Sequence, residues 1–593
     1  MATPPHQPED SSQPRESFFE QLQGFSRIYW IANWMELVER FAYYGVRVVL
    51  PVFMVAAFEQ GGPEFTHIQK GTIYAIWALV QSFVPIFTGG FADRYGFKIN
   101  IAISTVLKII GYLLMGYCIV LAEMLCGMSL KEARPLGADA TYEIFFAGAM
   151  FLALGTAIFK PGLQGLIAHQ VPKSRAALGW ALFYQMVNIG GFIGPFLAGY
   201  LRILDWKYVF LSCSMGIALN FIPLLLFKEP AHHGDRTVDG PLSLLVRAIQ
   251  GLLEPRLFFF TILFAGFWLM FYQLFDILPN FIDDWIDSRG AAAFLQSLFG
   301  ARNIPTVNQG NLTQEWIINF NSLLISVFAF AVGYVTGKMR SLVAIVVGVA
   351  IAAVAIYGLG LSMNGWWTLG MVAFFSLGEM WASPTKMRYL ASIAPAGKEG
   401  LYMGYVNFTV GIGWSIGSII AGEMYQTGGD KIELARRYLI DQSHMPREQI
   451  TALARNDVLP FFEKTLGLDA WQTRELLWNT YEPYSMWLVF TLIGVAAMAG
   501  VVGYDYITRR ASENPRHPFN TSGDMWVRVA LLPIIGAFGF ACYDRLIIDG
   551  KSVIDSIAVI VQFIMFATLF AFTFIPRTQV PRARVEKDPA SGS

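Results

Sequence analysis

The sequence predicts an all-α integral membrane protein of fourteen spans, and three observations predict it. Of 593 residues, 55% are hydrophobic and 15% charged, whereas a soluble chain carries about 25% charged residues. Apolar stretches near the length needed to cross a bilayer, about 20 residues, recur along the chain. Basic residues collect in alternate turns, the pattern of loops that stay in the cytoplasm. The 43 basic and 43 acidic residues balance to zero, which gives no footing for a nucleic-acid partner.

Taken in order, residues 1–26 are a polar, Pro-rich cytoplasmic tail with no secretory signal expected. Six spans follow near 27–57, 69–91, 99–122, 142–170, 178–203 and 207–228, making a first unit over 27–228. Residues 229–256 are a cytoplasmic linker, too short for two more spans. A second unit, 257–506, holds spans near 257–283, 315–337, 341–362, 366–394, 401–426 and 483–506. It is interrupted by long loops at 284–314 and 427–482; the latter alternates charge with apolar residues, as short amphipathic helices do. A cytoplasmic loop, 507–524, leads to two additional spans within 525–576 and a cytoplasmic tail, 577–593. Arg94, Lys98, Lys173, Arg175, Lys338, Arg340, Arg509 and Arg510 mark one side, while Glu59, Glu64, Asp283, Asp284 and Asp287 mark the other. Both termini are therefore expected in the cytoplasm, with the chain in the inner (plasma) membrane.

The first span carries what an apolar helix should avoid: Glu36, Glu39, Arg40 and Arg47. A charge at mid-bilayer depth costs roughly 2.5 kcal/mol or more. At 100° per residue these four, with Tyr43 and Tyr44, fall in one arc of about 140°. Such a stripe faces a protein interior or a water-filled cavity. Two carboxylates beside one guanidinium, away from water, form a proton-binding device, because a desolvated carboxyl is pushed toward its neutral form. Elsewhere the four cysteines show no metal-like spacing, and HExxH and Walker patterns are missing, so neither an enzyme nor a cofactor is expected.

The segment Glu36-Leu-Val-Glu39-Arg40-Phe41-Ala-Tyr43-Tyr44-Gly45 resembles the ExxERFxYYG motif of the proton-dependent oligopeptide transporter family of the major facilitator superfamily. Further segments are similar to that family's motifs. Gly89 to Lys98, with Asp93 and Arg94, resembles the cytoplasmic latch between helices 2 and 3. Gly155 to Pro161 resembles GxGxxKPN, and Phe183 to Gly190 resembles FYxxINxG. Gly378 to Pro384, followed by Ala394-Pro395 and Gly400 to Gly404, resembles GExxxSP…AP…GLMMG. The resemblance implies two six-helix bundles, each of inverted three-helix repeats, with the extra pair of helices placed C-terminally and a site near the bilayer midplane.

It also implies roles. Lys160 pairs with the helix 1 acids and, with Arg47, holds a substrate carboxylate; Asn188 and Asn321 bond the peptide backbone; Glu379 meets the α-amino group, with Ser383 one turn on. Tyr43, Tyr44 and Tyr272 line the site. Glu36, Glu39, Arg40 and Lys160 couple protons, while Asp93, Arg94 and Lys98 latch the cytoplasmic side. The sequence departs from the pattern in helix 7, where Tyr272 replaces an acid common in peptide-transporting members. Asp276, one turn on, either substitutes for it or is a helix-end acid at the external mouth. Lys386 and Arg388 are also unusual, marking the cytoplasmic end of helix 10 or forming gating pairs. The expected function is proton-coupled import of di- and tripeptides by a monomer, driven by the proton gradient alone. The alternatives are a family member carrying nitrate, an amino-acid conjugate or a drug-like solute, or a membrane sensor that does not transport.

Overall fold

In the computed structural model the chain is described for residues 18–86, 88, 96–172, 175–228, 241–395 and 399–575. Helices dominate. The long ones are α1 (Arg27–Phe53), α2 (His67–Phe83), α3 (Phe97–Gly116), α4 (Thr141–Gln170), α5 (Ala176–Leu204), α6 (Trp206–Ala218) and α7 (Pro255–Phe271). They continue with α8 (Gln314–Gly337), α9 (Ser341–Leu359), α10 (Gly365–Ile393), α11 (Glu399–Gly428), α12 (Ser485–Glu513), α13 (Gly523–Tyr543) and α14 (Val553–Phe572). Ten segments among the described residues are long and apolar enough to cross a membrane. Helices α1, α2, α10 and α11, of 27, 17, 29 and 30 residues, pack among them without meeting that test.

Local chemistry starts and bends these helices. Ser26 caps α1 by accepting from the Tyr29 N–H at 3.1 Å, and Thr66 with Gln69 forms a reciprocal capping box at α2. Asn364 caps α10 through the N–H groups of Trp366 and Trp367. Pro51, Pro161 and Pro384 lie inside α1, α4 and α10, where each removes a ladder donor and permits a bend.

Within the first bundle α1 packs on α5 and α6, and α3 on α4 and α6; within the second, α7 packs on α11 and α12, and α9 on α10 and α12. The bundles meet along α2 with α11 and α5 with α8. Small residues set the closest approaches. A Cβ at Gly71 would lie 2.4 Å from the Ser418 carbonyl oxygen across the bundle interface, and one at Gly190 would lie 2.3 Å from that of Leu37. Glycine is required at both places.

One end of the molecule carries the long loops, here the loop side. Residues 284–314 hold a helix, Arg289–Phe299, and a two-stranded ladder pairing Thr306 with Leu312. Asn311 in that ladder is buried and accepts from the Ser288 N–H at 2.7 Å. The segment after α11 folds as short helices Lys431–Asp441, Arg447–Thr451, Val458–Leu466 and Ala470–Tyr481. Helices α13 and α14 pair with each other, and α14 lies against α2 and α11. Gln562 donates to Ser415 and Arg545 pairs with Glu423, while Thr72 donates to the Asp555 carbonyl at 3.3 Å. The C-terminal pair therefore closes over the seam between the bundles.

Candidate functional site

The charged stripe of α1 faces inward, and its residues find partners. Glu36 takes the Arg40 guanidinium at 2.9 Å; Glu39 takes the Lys108 ammonium at 2.5 Å and lies 3.6 Å from Arg40. All four are buried. Lys108 stands on α3 over the Phe159 ring at 3.7 Å. It is the sole charged residue inside the third span, and that alone marks it as costly and functional, although it lies outside the family motifs. Lys160, expected to pair with the α1 acids, has no ion pair within 4 Å among the described residues. Lys108 occupies that role for Glu39.

A cavity of about 260 Å³ lies between the bundles, lined by Arg40, Tyr43, Tyr44, Arg47, Gln81, Lys160, Tyr184, Asn188, Trp268, Tyr272, Asn321, Glu379 and Ser383 among others. The expected binding residues thus converge on one space. Their hydrogen bonds refine their parts. Asn321 donates to Glu379 at 3.0 Å and to Ser376 at 3.0 Å, so its amide fixes the carboxylate. Asn188 donates to its own helix at the Tyr184 carbonyl, 3.0 Å away. Tyr43 donates to Gln81 at 3.1 Å. Tyr272 lies flat on Trp414, with ring centroids 4.4 Å apart and planes 6° apart. A second space of about 510 Å³, lined by Lys160, Pro161, Gln164, Met387 and Met403, adjoins Lys160 on the side away from the long loops.

Asp276 forms an interbundle tie. It pairs with Arg47 and accepts from Ser418 at 2.6 Å and from the Trp414 indole at 3.1 Å. Arg47 also lies over the Tyr74 ring at 4.1 Å. In this conformation Arg47 is engaged by the opposite bundle rather than open to a substrate carboxylate. Around it the loop side is shut by several ties. Lys70 donates to Asn280 at 2.6 Å, Gln314 to the Val48 carbonyl at 2.9 Å, and Asn319 to the Phe192 carbonyl at 2.8 Å. Arg202 on α5 reaches Asp283 at 2.5 Å and Glu315 on α8 at 3.0 Å. Outermost, Asp430 takes His67 at 3.0 Å and Arg455 at 2.6 Å. Burial raises the Asp430 carboxyl, but Arg455 and the hydrogen bond from His67 outweigh it and hold the group well below the usual carboxylate range.

At the opposite end, Lys98 donates to the Phe227 carbonyl at 2.9 Å; its expected latch partners Asp93 and Arg94 lie outside the described residues. Arg388 donates to Ser341, to the Thr336 carbonyl and to the Met339 carbonyl at 3.0–3.1 Å, tying α10 to the α8–α9 turn. It acts as a fastener of that helix end. Lys386 is not at the helix end: it is buried, 3.9 Å from the Trp268 ring centroid.

Comparison with known proteins follows the same lines. The Major Facilitator Superfamily pattern matches residues 34–418. A peptide transporter, YePEPT, of Yersinia enterocolitica is 28% identical over 213 residues, 35% of this chain and 37% of that relative. Multidrug resistance protein MdtH of Salmonella arizonae is 22% identical over 388 residues, 65% of this chain and 83% of that relative. Among solved structures, the peptide transporter POT in complex with sulfate aligns with a TM-score of 0.54 at 18% identity. The alignment covers 84% of this chain and 96% of that one. A POT family transporter in complex with 5-aminolevulinic acid also aligns with a TM-score of 0.54 at 18% identity, covering 82% and 98%. The α1 and α10 motifs and the pattern match agree, and the fold is that of the POT structures. The chain is a multi-pass membrane transporter belonging to the Major Facilitator Superfamily.

Proposed function

We propose that the protein is a proton-coupled symporter that imports di- and tripeptides by alternating access across the inner membrane, with both termini in the cytoplasm. The observation that carries this reading is the split of charge across the cavity: Lys160 enters from the first bundle and Glu379 from the second. A short zwitterion complements that arrangement, its carboxylate toward Lys160 and its amine toward Glu379. The ties on the loop side and the space beyond Lys160 correspond to an inward-facing state.

Coupling runs through α1. Among the described residues Glu36 has only Arg40 as its ion-pair partner, whereas Glu39 is held by Lys108. Protonating Glu36 releases Arg40 to lean on Glu39 or on a substrate carboxylate, and the state equilibrium shifts by the difference in interaction energy. A proton crossing the membrane contributes about 2.3 kcal/mol per 100 mV. On the loop side Asp276 and Arg47 then form the gate that separates when the carrier turns outward. Glu36, Glu39, Arg40, Lys160 and Asp276 are the coupling set; Tyr43, Tyr44, Arg47, Asn188, Tyr272, Asn321 and Ser383 shape the site. Lys98 with Asp93 and Arg94 serves as the cytoplasmic latch, and the unit of function is the monomer.

A second reading, transport of a drug-like solute, is favoured by the similarity to MdtH over a larger share of the chain. Calorimetric titration of the purified protein with Ala-Ala separates the two. Measurable binding that Glu379→Gln weakens about tenfold or more supports the zwitterion site; binding of lipophilic cations but of no dipeptide refutes it.

A further inference from the structure

We propose that Lys386 creates a second anion subsite beside the cavity, which makes substrates with an additional negative charge, acidic dipeptides above all, the preferred cargo. The inference rests on the zwitterion reading above and narrows its substrate class.

Charge accounting across the interior points to it. Glu36 is matched by Arg40, Glu39 by Lys108 and Asp276 by Arg47. These three pairs sum to zero. The cavity-lining charges left over are Lys160 and Glu379, and Lys386 adds another cation. It has no hydrogen bond or ion pair among the described residues, and its ammonium position lies 3.9 Å from the Trp268 ring centroid and 5.8 Å from that of Phe264. Two lysines thus stand near one carboxylate, and a dipeptide's single carboxylate supplies an anion for only one of them.

Placement supports the same assignment. At 100° per residue Glu379, Ser383 and Lys386 share an arc of about 60° on α10, with Lys386 about 10 Å along the axis from Glu379. The first two line the cavity, so Lys386 continues their stripe. Trp268, on which it rests, also lines the cavity and has a buried indole N–H with no hydrogen-bond partner. Lys386 and Trp268 together offer an ammonium and an unmet N–H donor, both desolvated and neither used by the pairs that close the loop side. The aromatic faces partly offset the burial of the cation, but an anion satisfies both donors at once. With the peptide carboxylate at Lys160 and the amine at Glu379, the group left to meet Lys386 is the side chain. An aspartyl or glutamyl side chain fits; a lysyl one is repelled.

The test is competition for binding to the full-length protein by Ala-Ala, Ala-Asp and Ala-Lys, with succinate as a dianion lacking the amine. The expected result is that Ala-Asp binds about tenfold tighter than Ala-Ala and Ala-Lys more weakly. In Lys386→Met the Ala-Asp to Ala-Ala ratio falls toward one, and Lys386→Arg restores it. Equal affinity for Ala-Asp and Ala-Ala, or a ratio unchanged in Lys386→Met, overturns the subsite while leaving peptide transport intact. If no peptide binds, the zwitterion reading is what fails, and succinate decides the subsite separately. Binding lost in Lys386→Met sustains it, and no binding overturns it.

Discussion

At the residue scale the interior charges come as partners whose separation is expensive. Removing one member of a buried pair leaves the other unmatched, at about 3–5 kcal/mol, whereas replacing both is often tolerated. Lys108→Met and Glu39→Gln are each expected to lower the unfolding free energy by about that amount, and the double variant to lose far less than their sum. Additive losses, measured by thermal or denaturant unfolding in nanodiscs, would show that the 2.5 Å pair is not energetically real. Asn321→Ala should raise the dipeptide KM about tenfold while changing kcat little, because its amide holds Glu379 in place. A fall in kcat alone would assign Asn321 to the conformational step. The stripe from Glu36 to Arg47 was legible in the sequence because 100° periodicity places it on one face. What periodicity cannot give is which cation meets which acid. Lys108 stands out as an isolated mid-span charge, yet only the packing of both α1 and α3 against α4 and α6 reveals it as the partner of Glu39. The positions of Lys386 and Arg388, two residues apart in α10, likewise look alike in sequence. Their distinct fates, on Trp268 and in the α8–α9 turn, follow from helical phase.

At the scale of elements, loop-side closure is a set of ties between helix ends, and α5, the short helix Leu278–Trp285 and α8 meet at Arg202. Arg202→Gln leaves Asp283 and the buried Glu315 without their cation. In a cysteine-free background, spin labels at Gln60 and Asn456, which bond each other at 3.1 Å across the mouth, should then show a broader, longer distance distribution. An unchanged distribution would place the closing energy elsewhere. Asp430 contributes without acting as a pH sensor. Its carboxyl is held below the ordinary range, so its stabilisation is fully present above the unfolded value of about 3.9 and is lost only as pH falls through the lower folded value. Asp430→Asn should therefore lower Tm equally at pH 5 and pH 8; a loss confined to pH 8 would contradict this. Long apolar elements were readable from hydropathy alone. The short helices after α11 were legible only as a type, since their placement depends on contacts such as Asp430 with Arg455, 25 residues apart.

At the scale of the whole molecule, the two bundles and the seam between them create the cavity, and α14 lies over that seam on α2 and α11. Sequence order showed two helices beyond the twelfth; their docking position is a matter of surface fit, fixed by Gln562, Thr72 and Arg545. The central claim is that a proton held at Glu36 drives uptake of a zwitterion bound between Lys160 and Glu379. Its most direct test is uptake of labelled Ala-Ala into proteoliposomes under an imposed inward proton gradient, with Glu36→Gln measured for both gradient-driven uptake and peptide counterflow. The claim predicts accumulation that collapses with the gradient, and a Glu36→Gln variant that exchanges peptide but no longer accumulates it. Accumulation that persists in Glu36→Gln, or that is indifferent to the gradient, would contradict it.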